Sequence, residues 1–446
     1  MDREDTEAHF LTQDTIVIAG AGISGLSFAI SIHKLWPSLV ADVPPPPLIL
    51  YERDPCAVPP GREGYSLSLR SDRPSKGIQT LQKMGILDHI LKASITKMGD
   101  DEDGAVEEAP HGKGGFCVWD RNFHKVMKIQ STTPSGCPVA SLRIARASLR
   151  QALVDTVEAL PGVTIIWNEA ITNVSPPSQD SSSIRLMTSS GNAVDCSVLI
   201  AADGASSKLR ALLRPNDVLR FAGPTCVYGV ANIGKHHPSA RADEFGCAIS
   251  GTGSACFFAP VDCEKMLWCL SWLVDRPMTL KKSPLAKEDA STLLEEVRSI
   301  GAPFGVRFES MVNDTDAKSV TQFNAMDKQP FAHAGQYVTG NGLESLCGRI
   351  VFLGDANHAV SPFAGNGANL AMMDAWDFAE SLIRSRSLEE AIAKYDKLAM
   401  SRSKQVIRMS HFNIRVMHSQ GWMQWFWCVC EHAMWKYANS FTGWVS

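Results

Sequence analysis

Short apolar runs alternate with helical periodicity along the first part of the chain. Thr15–Ala19 (TIVIA) is apolar and rich in β-branched residues, the pattern of a strand buried on both faces. A glycine-bearing turn follows from Gly20 to Gly25, and from Leu26 to Leu35 apolar residues recur at helical spacing. Pro44–Pro47 is a four-proline loop that neither a helix nor a sheet interior tolerates. Leu48–Tyr51 then reads as a second strand. Strand, turn, helix, strand is half of a dinucleotide-binding fold. Ser197–Ala201 (SVLIA) and Arg349–Leu353 (RIVFL) repeat the buried-strand pattern. From about 221 to 329 the pattern is strand-rich, with Cys226–Ile233, Cys256–Pro260 and Met266–Trp272 as examples, which predicts an antiparallel sheet. Gly251-Thr-Gly253 reads as a turn within it. Helical periodicity dominates from Asn369 to the end. Ser175–Ser183 predicts a hairpin connector, Asp100–Glu108 a solvated acidic loop, and residues 1–13 a disordered segment.

Composition narrows the function classes. The 446 residues exceed one ordinary core, so two or more domains are expected. A net charge of -4 without any basic run argues against a nucleic-acid partner. The polar, acidic N-terminus lacks the apolar stretch of a secretory signal, and no apolar run reaches membrane-spanning length. The twelve cysteines are scattered without zinc spacing, so no metal site is expected and a reducing, cytoplasmic setting is the simplest reading.

Three motifs carry the candidate chemistry. The first is Gly20-Ala-Gly22-Ile-Ser-Gly25, a G-x-G-x-x-G sequence. Gly20 permits a tight turn, Gly22 lets a pyrophosphate approach the backbone, and Gly25 lets the helix pack close to the sheet. The helix start offers free N–H groups to phosphate. Glu52, at the end of the next strand, can accept hydrogen bonds from ribose hydroxyls. This motif alone does not separate NAD from FAD. The second is Asp203-Gly204, just after a buried strand. The third opens at Gly354-Asp355 and continues through Pro362 and Phe363 to Gly365-Asn-Gly367-Ala368-Asn369, where a helix begins. A helix N-terminus there can face the pyrimidine edge of a flavin and stabilise the anionic reduced form. NAD would require none of this.

On these motifs, with YERD at 51–54 and RASLR at 146–150, the chain resembles the FAD-dependent aromatic hydroxylases, the single-component flavoprotein monooxygenases, over roughly residues 14 to 415. Within that family it is similar to the branch holding tetracycline-inactivating and fungal natural-product monooxygenases. The resemblance implies an α/β (α+β) fold: a Rossmann-type FAD-binding domain, discontinuous over 12–86, 115–220 and 330–385, an inserted antiparallel-sheet substrate domain over 87–114 and 221–329, and C-terminal helices over 386–446. It implies that Glu52 binds the adenosine ribose, that Arg53 and Arg146 lie toward the adenosine and pyrophosphate, and that Asp355 binds the ribityl chain. Ala368 and Asn369 would meet the isoalloxazine ring. Asp203-Gly204 would touch both FAD and NAD(P)H, and the Gly64–Arg70 segment would pass near the flavin.

The family chemistry implies NADPH or NADH as co-substrate, and a flavin C4a-hydroperoxide that hydroxylates or epoxidises an aromatic or polycyclic natural product with O2. An apolar pocket would keep water from the flavin. Phe363 is expected in its wall, and Tyr228, Trp268 and Trp272 are further candidates for substrate contact; the two tryptophans alternate onto one strand face that is either pocket or core. Phenol hydroxylases of the family carry a Tyr-Arg pair where this chain has Tyr228-Gly229, which points toward a larger, less acidic substrate. No side chain stands out as a catalytic acid or base. His358 reads as structural. A flavin oxidase, dehydrogenase or reductase, or a non-catalytic flavin-binding protein, stays open as an alternative. Five of the eleven tryptophans lie at or after 422, so this stretch is expected to pack on the body or on a second subunit, or to touch a membrane surface.

Overall fold

The computed structural model describes residues 9–11, 14–40, 43–59, 65–98, 115–129, 133–175, 183–232, 244–262, 264–281, 285–334, 346 and 348–421. Gly64, the acidic loop at 100–108 and the Trp-rich stretch from 422 lie outside them, as does the hairpin connector at 176–182.

A five-stranded parallel sheet forms the first layer. Its order is Ile350–Phe352, Val198–Ala201, Ile16–Ala19, Leu48–Glu52, Val163–Trp167. Ile16 pairs with Val198 on one side and Leu48 on the other. Both faces are covered at Ile350–Phe352, Val198–Ala201 and Ile16–Ala19, which is why these strands are apolar throughout, while the edge strand Val163–Trp167 is only half-buried and carries an exposed Thr164. Ile16, Ile18, Leu48, Leu50 and Ile200 face a core that includes Leu26 and Phe28 of the helix Ile23–Leu39 and Phe378 of the helix Gly367–Arg384. Phe28 and Phe378 stack with ring centres 5.7 Å apart. The alternate residues, Val17, Ala19, Leu199, Ala201 and Phe352, face a second core. That core is closed by a three-stranded antiparallel sheet, from which Ile171, Val174, Ile184 and Leu186 point inward, and by Leu209 and Leu213 of the short helix Lys208–Leu213.

A seven-stranded sheet forms the second body. Its order is Thr321–Asp327, Arg220–Asn232, Lys265–Leu273, Ser254–Pro260, Glu244–Ile249, Gly115–Trp119, Lys125–Ile129. The turn at Gly251 and Gly253 joins two of its strands. The helices Lys287–Gly301 and Gly305–Asn313 cover one face. A small sheet of Ser66–Arg70, Ser141–Ala145 and Thr96–Met98 lies at the junction, where Ser66 Oγ donates to the carbonyl of Pro260 at 3.2 Å. The long helix Leu388–Met417 reaches both bodies: Tyr395 packs beside Phe378, and Met417 lies against Cys247 and Ile249.

Three expectations need correction. Residues 115–129 pair within the seven-stranded sheet rather than with the dinucleotide domain. Leu87 and Ile90, assigned to the substrate domain, belong to the core of the parallel-sheet layer. His9–Leu11 is ordered, not disordered: Leu11 is fully buried and His9 Nε2 lies 3.1 Å from the carbonyl of Ile383. Among the described residues no helix is long and apolar enough to cross a membrane, and none of the eight described cysteines is in a disulfide.

Candidate active site

The three sequence motifs converge at one end of the parallel sheet. Gly20 has φ +108°, and a Cβ there would stand 2.5 Å from the carbonyl oxygen of Ala202 and 3.3 Å from Cα of Asp203. The first motif therefore touches the second, and only glycine fits the contact. A Cβ on Gly354 would meet Ser24 Oγ at 3.2 Å, so the third motif touches the first helix. Gly25 packs tightest, since a Cβ there would fall 2.1 Å from the carbonyl oxygen of Gly20. Gly22 differs: nothing lies within 4 Å of an added Cβ. It is the N-cap of Ile23–Leu39 and provides no side-chain cap, so the helix-start N–H groups border open space.

Buried polar atoms without partners among the described residues lie on these motifs: Ser24 Oγ and Asp203 Oδ1 beside the glycine turn, and Asn366 Nδ2 at the start of the later helix. Such groups are rare in a finished interior and suit a ligand rich in phosphate and hydroxyl groups. Asp203 Oδ2 accepts from the backbone N–H of Lys208 at 2.9 Å and of Leu209 at 3.3 Å, so half of the carboxylate caps a helix and half is free. Burial pushes the Asp203 carboxyl above the ordinary carboxylate range. Burial does the same to Asp355, against the opposing pull of His358, Arg146 and Arg210.

Glu52 is buried beside the glycine turn, where Oε2 accepts from the Ala21 N–H at 2.8 Å and Oε1 from the Asp54 N–H at 3.0 Å. Its counter-ion is Arg150, which contacts Glu52 Oε2 at 3.1 Å and Asp54 Oδ2 at 2.9 Å and donates to the Ala21 carbonyl at 3.0 Å. Arg150 was missed in the sequence. The signal was there in RASLR, whose i, i+4 spacing puts Arg146 and Arg150 on one face of the helix Arg146–Glu158. Arg210 was missed too. It donates to the carbonyls of Ala356 at 2.8 Å and Asp217 at 3.1 Å, tying the Asp203-Gly204 turn to the Gly354 segment. Arg53 is exposed.

Asn369 is fully buried at the start of Gly367–Arg384. Its amide Nδ2 donates to the Ser68 carbonyl at 2.9 Å and its Oδ1 accepts from the Arg70 N–H at 3.0 Å. The side chain thus fastens the Ser66–Arg70 strand to the helix start, beside Gly367 and Ala368, which are both half-buried. Gly365 is left-handed at φ +62° and ends the turn Pro362–Ala364. Asn413 Nδ2 donates to the Phe363 carbonyl at 2.8 Å, and the half-buried Phe363 ring meets His418 edge-on at 5.6 Å. His418 in turn reaches Ser271 Oγ at 2.9 Å on the seven-stranded sheet.

The register of that sheet decides which candidates face the site. Tyr228 pairs with Cys269, and Cys269 with Phe257, so these three share a face. Tyr228 is half-buried, 6.2 Å from the Phe323 ring, and its field reaches Tyr65, which also lies beside Arg146 and Asp355. Tyr65 keeps 41% of its surface exposed although these groups surround it, which marks an open cleft between the two bodies. Burial raises the Tyr65 phenol above its ordinary value.

Trp268 and Trp272 point the other way. Trp268 is fully buried, its indole N–H donates to Thr315 Oγ1 at 2.8 Å, and it meets Phe308 edge-on. Trp272 packs against the same cluster. Both belong to the core, not to a substrate wall. Gly229 lies on that core side as well: a Cβ there would stand 2.8 Å from the Trp268 ring and 2.7 Å from Thr315 Cγ2. An arginine at 229 could not face the cleft, so its absence carries no information about substrate charge. His358 lies fully inside the fold, with Nε2 2.6 Å from Asp374 Oδ2. Asp374 also pairs with Arg402 at 2.7 Å, and Arg402 with Asp377 at 2.7 Å. Burial alone would raise the Asp374 carboxyl, but His358 and Arg402 outweigh it and hold it below the usual range.

Known proteins resemble this chain in sequence and in fold. A model of the FAD binding domain matches residues 309–410. Over 425 residues the chain is 31% identical to a monooxygenase, cfoF, of Aspergillus candidus, covering 93% of this chain and 94% of that one. Among solved structures, Klebsiella pneumoniae HpxO complexed with FAD and uric acid superimposes with a TM-score of 0.70 at 18% identity, covering 94% of this chain and 93% of that one. Tetracycline destructase Tet(55) does so with a TM-score of 0.63 at 16% identity, covering 92% and 91%. With such a relative matched along nearly its whole length, the chain belongs to the single-component FAD-dependent monooxygenases and is an FAD-binding oxidoreductase.

Proposed function

We propose that the enzyme consumes NAD(P)H and O2 to hydroxylate or epoxidise an aromatic or polycyclic natural product held in the cleft between Tyr65 and Tyr228. One observation supports the reading: the room beside Gly22, the unpartnered Ser24 Oγ and Asp203 Oδ1, the Gly354 turn packed on Ser24 and the uncapped start of the Gly367 helix come from all three motifs. When bound, the flavin supplies the electron transfer and the oxygen chemistry. The chain supplies position and dryness.

In this reading Gly20, Gly22 and Gly25 shape the pyrophosphate seat, and the uncapped helix start donates to it. Glu52, oriented by Arg150, meets the adenosine ribose, with Arg53 and Arg146 on the phosphate side. Asp203 and Gly204 border the cofactor, where the unpartnered Oδ1 can accept from a ligand hydroxyl or N–H. Gly354 and Asp355 meet the ribityl chain. Gly365, whose own N–H closes the turn onto the Pro362 carbonyl, leads the chain into the helix, and Gly367, Ala368 and Asn369 present backbone N–H groups to the pyrimidine edge, where a helix start favours negative charge. Pro362 and Phe363 wall the cleft on one side and Tyr228 on the other, excluding water from the reacting centre. The reading is tested by substrate-stimulated NAD(P)H and O2 consumption with mass analysis of the product. A gain of one oxygen atom is expected. Conversion of all O2 to hydrogen peroxide, with the ligand recovered unchanged, would sink it in favour of an oxidase.

A further inference from the structure

Three buried arginines lean on carboxylates or carbonyls for compensation: Arg150 on Glu52 and Asp54, Arg402 on Asp374 and Asp377, and Arg210 on a set of carbonyls. Arg143 does not. It is 2% exposed in the strand Ser141–Ala145, and no carboxylate among the described residues pairs with it. Its Nη1 donates to Ser68 Oγ at 2.8 Å, and its Nη2 to the Ser66 carbonyl at 2.9 Å and to Ser66 Oγ. Nε–H has no partner among the described residues. Of five guanidinium N–H bonds, Nε–H and one on Nη1 are unspent among those residues. Burial without a counter-charge pushes its pKa down to about 9, so the group is still a cation at neutral pH.

The surroundings set this cation against the aromatic side of the seven-stranded sheet. Arg143 pairs with Ser68 across the small sheet, and the Ser68 carbonyl is held by Asn369 at the helix start. The guanidinium sits 5.0 Å from the Phe245 ring and 5.6 Å from the Phe257 ring. Phe257 shares its sheet face with Tyr228 and Cys269, and all three are half-buried between the two bodies. A desolvated cation with spare donors and aromatic flanks, at the edge of an aromatic-walled cleft, is built to receive an anion that is itself attached to a flat apolar frame. Position 229 cannot supply that charge, because it faces Trp268.

We propose that Arg143 is a substrate-binding residue and that the substrate is an aromatic or conjugated ring carrying an ionised oxygen, as carboxylate, phenolate or enolate, which accepts from the free guanidinium N–H bonds. This deepens the monooxygenase reading and rests on it for the identity of the cleft. The test uses the FAD-loaded, oxidised enzyme without NAD(P)H, titrated with 2-naphthoate and with the isosteric, neutral 2-naphthamide, and read by the visible flavin spectrum. A charge-assisted hydrogen bond in a desolvated site favours the acid roughly tenfold or more. Arg143→Gln is expected to remove that preference while the flavin content and the amide affinity hold, and Arg143→Lys to keep part of it. Equal binding of acid and amide by the unaltered enzyme, or no binding of the acid, overturns the proposal and leaves Arg143 as a clamp between the two bodies. That comparison needs no variant, so a misfolded Arg143→Gln protein does not blunt it. No turnover enters the measurement: preference for the acid without oxygenation of any ligand would sink the monooxygenase reading and leave the anion site standing.

Discussion

Replacing Gly22 by alanine separates folding from cofactor binding. The site for the new methyl is empty, with nothing within 4 Å, and the backbone there is extended with φ −83° and ψ −174°, which alanine adopts freely. The cost to the cofactor-free protein is that of a poorer N-cap, about 1 kcal/mol or less, against a total stability on the order of 5–15 kcal/mol. The melting temperature of the stripped protein should fall by no more than about 2 °C. The cofactor pays differently. The methyl occupies the space through which a pyrophosphate reaches the helix-start N–H groups, and losing one charge-assisted hydrogen bond costs roughly 1.5–3 kcal/mol. That corresponds to a roughly 10- to 150-fold weaker Kd for FAD. Gly25→Ala is the control. Its Cβ would lie 2.1 Å from the Gly20 carbonyl oxygen and 3.0 Å from Ile18 Cγ2, a backbone overlap that prises helix from sheet and costs about 1–3 kcal/mol or more in the stripped protein itself. Thermal unfolding of cofactor-free protein and a fluorescence titration with FAD measure the two effects separately. If Gly22→Ala binds FAD as tightly as the unaltered chain, phosphate does not pass over this position and the reasoning fails.

Two further outcomes follow from the site geometry. Trp268→Phe should lower stability by roughly 1–3 kcal/mol, through the lost bond to Thr315 and a partial void, yet leave kcat/KM unchanged; Tyr228→Ala should do the reverse, and a raised KM in the Trp268 variant would show that the sheet faces have been assigned the wrong way round. Asp374, whose carboxyl is held below its ordinary value by His358 and Arg402, adds stability that is present above the carboxyl pKa of the unfolded chain and lost as pH falls through the folded value. Asp374→Asn should therefore melt well below the unaltered protein at neutral pH, and the gap should narrow as acid titrates the carboxyl; a gap independent of pH would remove the charge from the explanation.

Legibility varied with the range of the interaction. The parallel sheet could be read because both of its faces are buried, which makes each strand a continuous apolar run. The motif residues could be read because turn geometry and helix starts impose local residue choices. Strands 115–119 and 125–129 carry apolar residues, but apolar content does not say which sheet a strand joins, and they joined the other one. The sharing of one face by Trp268 and Trp272 followed from period two; that this face meets helices rather than the cleft did not. Arg143, Arg150 and Arg210 are ordinary surface residue types in sequence, and only the carbonyls, carboxylates and rings that close around them give them roles. The weight placed on residue 229 failed for the same reason, since a position's chemistry counts only once its direction is known.

The direction of residue 229 also sets the terms for redesign. In Arg220–Asn232 and its neighbours, Val227, Gly229, Trp268 and Leu270 lie on the face packed against the helices, while Tyr228, Phe257 and Cys269 on the other face are only half-buried. A combinatorial library confined to Tyr228, Phe257 and Cys269 would vary the cleft wall while leaving the packed layer intact. Substitutions placed at Val227, Gly229, Trp268 and Leu270 would spend their diversity on proteins that do not fold. The pleat thus partitions this strand pair into evolvable and frozen sites, one residue apart.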